Sequence, residues 1–221
     1  MPGPDVQGLT MPDSTMPDSK AKLIGAAIDV VRAKGFTATR VDDICAAAGL
    51  TKGSFFHHFK SKDELALAAA QAWGDNAQAL FAAAPYTALP DPRDRLLGYV
   101  DFRKALLQGE LPDYTCFAGT TIQEVFLTRP EISEAAAKTI ADHIGALEKD
   151  IAETMRVYNV AGRFSARSLA TYMQAVVQGA FVLVKAEGSR AVAAESLDHL
   201  RRYLELLFAN RKTGANRSRM R

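Results

Sequence analysis

Residues 39–65 read TRVDDICAAAGLTKGSFFHHFKSKDEL. Caps, apolar positions and one glycine in this run predict two short helices joined by a tight turn, with a third helix directly behind them. Thr39 can cap the first, with Asp42 three residues on as a short-armed capping box. Val41, Ile44, Cys45 and Ala48 then take the spacing of a single buried stripe. Gly49 falls where a helix exit wants a left-handed residue. Thr51 can cap the second helix, and Leu50 before it can pack on Phe55 as a hydrophobic staple. Phe55 and Phe59, one turn apart, point inward together, so the opposite face carries Gly53, Ser54 and His57, with Phe56 and His58 on its flanks. Ser61 and Glu64 make a capping box for the third helix, leaving Lys62 beside free N–H groups where phosphate binds well.

A helix anchored by phenylalanines and showing Gly, Ser and His outward suits insertion into the major groove of DNA. Gly53 lets the backbone come close, and the polar groups are short enough to reach base edges. The expected contacts with double-stranded DNA are Thr51, Lys52, Gly53, Ser54, Phe56, His57 and His58. Arg40 and Lys62, each at a helix start, are expected to clamp phosphates and set register.

The matching run is longer than the motif. From about Lys22 to Leu65 the segments LIGAAIDVVRAKGF, T-x-VDDI, AAGLTKGSFFHHF and KSKDEL resemble the helix-turn-helix of TetR-family transcriptional regulators. One departure is visible: such proteins usually carry Tyr where Phe56 stands, and its hydroxyl commonly contacts a phosphate. Here that contact is absent or comes from His57, His58 or Lys62. The resemblance implies an effector cavity among the C-terminal helices, for which Tyr99, Phe102, Leu106, Tyr114, Cys116, Thr120, Gln123, Phe126, Met173 and Phe181 are candidate lining residues. Gln123 and Thr120 among aromatics would orient a ligand. Cys116 also raises an alternative, a redox- or electrophile-sensing thiol on the same scaffold. Cys45, on the buried stripe, reads as a packing residue, and His143 as solvated surface.

The rest of the chain reads as helix. A first helix is expected from Ser19 to about Lys34, burying Leu23, Ile24, Ala27, Val30 and Val31. A long Ala-rich helix follows Ser61 to about Ala84, and another runs from Pro92 to about Gln108. Residues 113–129 read as one helix of mixed character, and Pro130 begins a helix to about Val157. Ser165 caps a helix stopped by Gly188. The last helix, about Ala191 to Asn210, places Leu197, Leu200, Leu204 and Leu207 on one stripe, which Tyr203, Leu206 and Phe208 broaden. Apolar on more than one side, it is expected to pair with its neighbour across a four-helix homodimer interface. The fold class is therefore all α. A helix-turn-helix domain at 18–65 precedes an effector-binding and dimerisation domain at 66–210. Disordered tails are expected at 1–17, which repeats MPDS, and at 211–221, which is basic.

Composition permits this reading without deciding it. Hydrophobic and charged shares of 48% and 24% are ordinary for a globular protein, and formal net charge is only +2. Between Lys20 and Leu65 eight Lys or Arg face five acids, a modest local excess. Two cysteines far apart argue against a structural disulfide. With no basic-then-apolar leader and no apolar run near ~20 residues, the expected location is the cytoplasm, away from membranes. No nucleophile elbow, phosphate-cradling loop or metal-spaced cluster is present, so neither catalysis nor a cofactor is expected. The expected function is a ligand-responsive regulator, a repressor, whose dimer binds a palindromic operator and is released by a small molecule. A non-enzymatic small-molecule carrier is the rival reading.

Overall fold

The computed structural model describes residues 18–160 and 164–209; the two expected tails lie outside this range. The described residues form ten α-helices and no strand: α1 (Asp18–Lys34), α2 (Val41–Ala48), α3 (Lys52–His58), α4 (Lys62–Ala82), α5 (Pro92–Ala105), α6 (Leu111–Tyr114), α7 (Phe117–Val125), α8 (Pro130–Val157), α9 (Ala166–Glu187) and α10 (Ala191–Leu207). A short 3-10 turn, Pro85–Ala88, links α4 to α5.

Two apolar cores organise the chain. The first joins Leu23, Ile24 and Val31 of α1, Ile44 and Cys45 of α2, and Phe55 and Phe59 of the α3 segment to Leu65, Ala66 and Ala69 of α4. Phe117, Val125 and Ile132 from α7 and α8 pack into the same cluster. The second core gathers α5, α8, α9 and α10 around Tyr99, Val100, Ile151, Met173, Leu200 and Phe208. The N-terminal helices therefore share their core with the larger unit, and α4 and α8 are the members common to both sides.

Local chemistry departs from expectation at two places. Arg40, and not Thr39, is the N-cap of α2. Thr39 is buried and its Oγ1 donates to the Gly35 carbonyl at 2.6 Å, so its side chain closes the α1–α2 turn. Asp43 takes the capping part instead, accepting from the Arg40 backbone N–H at 2.7 Å. The stretch 113–129 is also not one helix. Leu111 and Pro112 begin the single turn of α6, the chain extends at Thr115 and Cys116, and Cys116 Sγ accepts the Gly119 N–H at 3.3 Å to open α7.

The α1–α2 turn is held from both sides. Gly35 sits at φ +88, in the left-handed region that a side chain disfavours. The Glu124 carboxylate of α7 accepts from the backbone N–H groups of Phe36 and Thr37 at 3.2 and 2.7 Å. From α4, Lys62 Nζ donates to the carbonyls of Phe36 and Thr39 at 2.9 and 2.8 Å. These clasps make the entry to α2 and α3 a rigid mount.

By length and composition α9 is apolar enough to cross a membrane, although no uninterrupted apolar run suggested it. Leu169, Ala170, Met173, Val177, Ala180 and Val184 are nevertheless buried in the second core. Its opposite side leaves Tyr172, Val182 and Leu183 exposed, next to Tyr203 and Leu206 of α10. The Tyr172 and Tyr203 rings meet edge to face at 5.5 Å, so the two helices present one continuous apolar face.

Candidate nucleic-acid interface and effector cavity

The outward face of α3 is built by its inward one. Thr51 Oγ1 accepts the Ser54 N–H at 3.2 Å and so caps the helix. Phe55 is fully buried and Phe59 nearly so, their rings 5.9 Å apart. With that side anchored, Thr51, Lys52, Gly53, Phe56 and His57 are exposed and Ser54 half-buried. Gly49, at φ +65, turns the chain between α2 and α3, with Leu50 N–H closing on the Cys45 carbonyl at 2.9 Å.

The expected contact residues divide once their partners are considered. Gly53 exposes bare backbone, and His57 is exposed with its ring edge to face on that of His58 at 4.8 Å. Phe56 is 59% exposed, held edge-on by Phe55 at 5.1 Å. Arg40 is exposed at the start of α2. Lys52 makes an exposed ion pair with Asp42 at 2.9 Å, worth little and readily exchanged. His58 is only half-exposed, its Nε2 2.7 Å from Ser19 Oγ, so it ties α3 to α1.

Lys62 is engaged within the fold. Its ammonium lies 4.2 Å above the Phe36 ring and gives two of its three protons to backbone carbonyls of the α1–α2 turn. Burial pulls its pKa below the ordinary lysine value. This geometry fixes that turn.

A cavity of about 520 Å³ opens between α4, α5, α8, α9 and α10, within the size range of small-molecule sites. Of the ten candidate lining residues, Leu106, Tyr114, Cys116 and Phe181 face it. The other six do not. Met173 is wholly buried in the second core. Tyr99 is buried behind the wall, its hydroxyl 2.9 Å from His143 Nε2. Phe102 packs on Phe81 and Tyr86, 5.8 Å from each ring. Thr120 accepts from Lys185 Nζ at 2.9 Å outside the cavity. Gln123 is exposed and donates to the Gly119 carbonyl of its own helix at 3.1 Å, and Phe126 is 58% exposed.

Three lining residues change the character of the site. His143, expected on the surface, sits 4.6 Å from the Phe81 ring. Burial, and then the Arg103 charge, push its pKa down to about 3. Arg103 lies over the Phe81 and Tyr99 rings, 5.1 and 5.9 Å from their centroids. Arg32 comes from α1, which packs on α2 and α3, and is only 5% exposed. Its Nε donates to the Thr115 carbonyl at 2.8 Å, its guanidinium lies 4.8 Å above the Trp73 ring, and Asp29 approaches it at 3.7 Å. Burial lowers the Arg32 pKa while Asp29 opposes the shift; burial also raises that of Asp29. Helix α1, which shares the first core with α2 and α3, thus forms part of the cavity wall. In sequence, Arg32 on the apolar side of α1 was the one signal that could have found this.

Residues 23–69 match the family model of bacterial regulatory proteins, tetR family. The HTH-type transcriptional regulator CymR of Pseudomonas putida is 45% identical over 51 residues, which is 23% of this chain and 25% of that protein. The chain thus spans about a quarter of that relative's length. The HTH-type transcriptional repressor DhaR of Mycobacterium sp. strain GP1 is 25% identical over 168 residues, 76% of this chain and 83% of DhaR. Among solved structures, a TetR-family transcriptional regulator from Agrobacterium tumefaciens superposes with a TM-score of 0.75 at 17% identity, covering 84% of this chain and 96% of that one. That likeness shows the fold.

Proposed function

This chain belongs to the tetR family of bacterial regulatory proteins, and we propose that it is a ligand-responsive transcriptional repressor acting as a homodimer on a palindromic operator. The presentation of α3 carries the reading: a helix fixed from behind by Phe55 and Phe59 offers Gly53, Ser54 and His57 outward on a mount clamped by Glu124 and Lys62. His57 and Ser54 read base edges in the major groove. Thr51, Lys52 and Arg40 hold phosphates, and Phe56 packs against sugar or a thymine methyl. The exposed apolar face of α9 and α10 supports dimerisation, since two copies of it close a four-helix interface. Such a dimer sets two α3 helices into successive major grooves, about one turn apart.

A small molecule in the cavity acts on that spacing. Arg32 belongs to the reading unit yet lines the cavity, so a ligand that displaces it moves α1 against Thr115. A few kcal/mol of differential affinity for the shifted conformer is enough to release DNA. A second reading is favoured by Cys116, whose thiol faces the cavity at the start of α7: an electrophile could modify it there to the same effect. The deciding test is selection of bound duplexes from random and genomic DNA, repeated across a metabolite panel. Recovery of a palindrome whose retention one compound abolishes supports the proposal; no enriched sequence would remove it.

A further inference from the structure

The cavity carries a cation that no described carboxylate neutralises. Arg95 and Lys104, on the same helix, are paired with Asp150 and Asp198 at 3.2 and 2.7 Å. Arg103 has no such partner, and its Nε is buried without an acceptor. Its stacking on Phe81 and Tyr99 fixes the guanidinium plane and leaves the N–H edge for something else. The acids of the cavity are committed elsewhere: Asp29 approaches Arg32, and Asp113 Oδ2 accepts the Glu110 backbone N–H at 2.7 Å. His143 beside it is uncharged near neutral pH and offers no counter-charge. Across the cavity on α9, Gln174 is only 6% exposed, and its Oε1 is buried with no donor.

Resting on the assignment of this cavity as the effector site, we propose that its ligand is an organic anion. The ligand has an apolar, largely aromatic body whose carboxylate lies on Arg103, and an O–H or N–H donor directed at Gln174. A buried N–H left without an acceptor, on a half-buried charge that has no counter-ion, is costly until an anion meets it. A planar N–H fork also fits a carboxylate better than any other common group. Between the two polar ends, Trp73, Leu80, Leu106 and Ile140 supply apolar walls. A cationic ligand would meet Arg103 as a like charge, and a neutral carbonyl would offer its Nε–H only a weaker, uncharged acceptor.

The test uses the full chain and no DNA. Calorimetry would compare 4-phenylbutyrate and 6-hydroxy-2-naphthoate with their carboxamides and the corresponding amines. The expected result is binding of the carboxylates, with each carboxamide weaker by about tenfold or more and the amines silent. Arg103→Met, which keeps the stem over the rings, should erase the preference, and Arg103→Lys should restore part of it. Amides binding as tightly as acids, carboxylate preference persisting in Arg103→Met, or no carboxylate binding at all would each overturn the proposal. The acid–amide comparison in the unaltered protein stands even if the variants misfold. Loss of DNA binding would bear on the regulator reading alone.

Discussion

Arg32→Met is the perturbation that asks most of the structure. The substitution keeps an unbranched stem of similar reach but deletes a charge that is 95% shielded from solvent, at 5% exposure. It removes a charged hydrogen bond to the Thr115 carbonyl, worth about 1.5–3 kcal/mol, and a cation–π contact with Trp73, worth ~0.5–2 kcal/mol. It also leaves the Thr115 carbonyl unpartnered. Against this stands the relief of not burying a guanidinium, which is large for an isolated ion. Because Asp29 would be left without its neighbour, the net should remain a loss of about 2–4 kcal/mol. For a chain of this size that lowers Tm by roughly 5–15 °C. Thermal and urea unfolding of the full-length variant would measure it. The variant should still bind operator DNA while losing most of its response to ligand, because α1 is no longer keyed to the α6–α7 turn. A Tm within about 2 °C of the unaltered protein, with ligand response intact, would refute the reasoning.

Further outcomes follow from the same geometry. Gly35→Ala forces a side chain into the left-handed region against Glu124, and should cost at least about 1–2 kcal/mol in urea unfolding while weakening DNA binding. His143 is held at about 3 against an ordinary 6.5, so the unfolded chain binds the extra proton between those values. Its contribution is intact above pH 6.5 and is lost as pH falls toward 3, by up to ~1.4 kcal/mol per pH unit. His143→Gln should therefore flatten the acid limb of a stability–pH profile relative to the unaltered protein. Leu206 is 78% exposed in the proposed dimer face, so Leu206→Glu should give a folded monomer in analytical ultracentrifugation; a persistent dimer would move the interface elsewhere.

What was legible in the sequence is what neighbouring residues decide among themselves. Gly49, the Thr51 cap and the Phe55–Phe59 pair fix α3 within a few residues, so its outward face could be read directly. Thr39 misled because a buried threonine closing the preceding turn has the same spacing as a helix cap. The cavity was legible only in part. Tyr99 and Arg103 lie one turn apart on α5, and which of them meets the cavity depends on how α4 and α8 pack against that helix. Met173 and Gln174 are adjacent, yet the first is core and the second is wall. His143 looked solvated beside Asp142, but Phe81 from α4 and Tyr99 from α5 cover it. Lys62 was assigned by its position at a helix start, whereas the Phe36 and Thr39 carbonyls that claim it come from a distant turn. Long-range packing set each of these outcomes.

The central claim is that two copies of α3 engage one duplex together. It is tested most directly by measuring affinity for the selected operator as the gap between its half-sites is lengthened by about half a helical turn and then by about a full turn. Half a turn should drop binding to the level of a single half-site, by ~100-fold or more, because both heads can no longer engage at once. His57→Ala should weaken binding at every spacing. Affinity indifferent to the half-turn insertion, or unaffected by His57→Ala, would contradict the account.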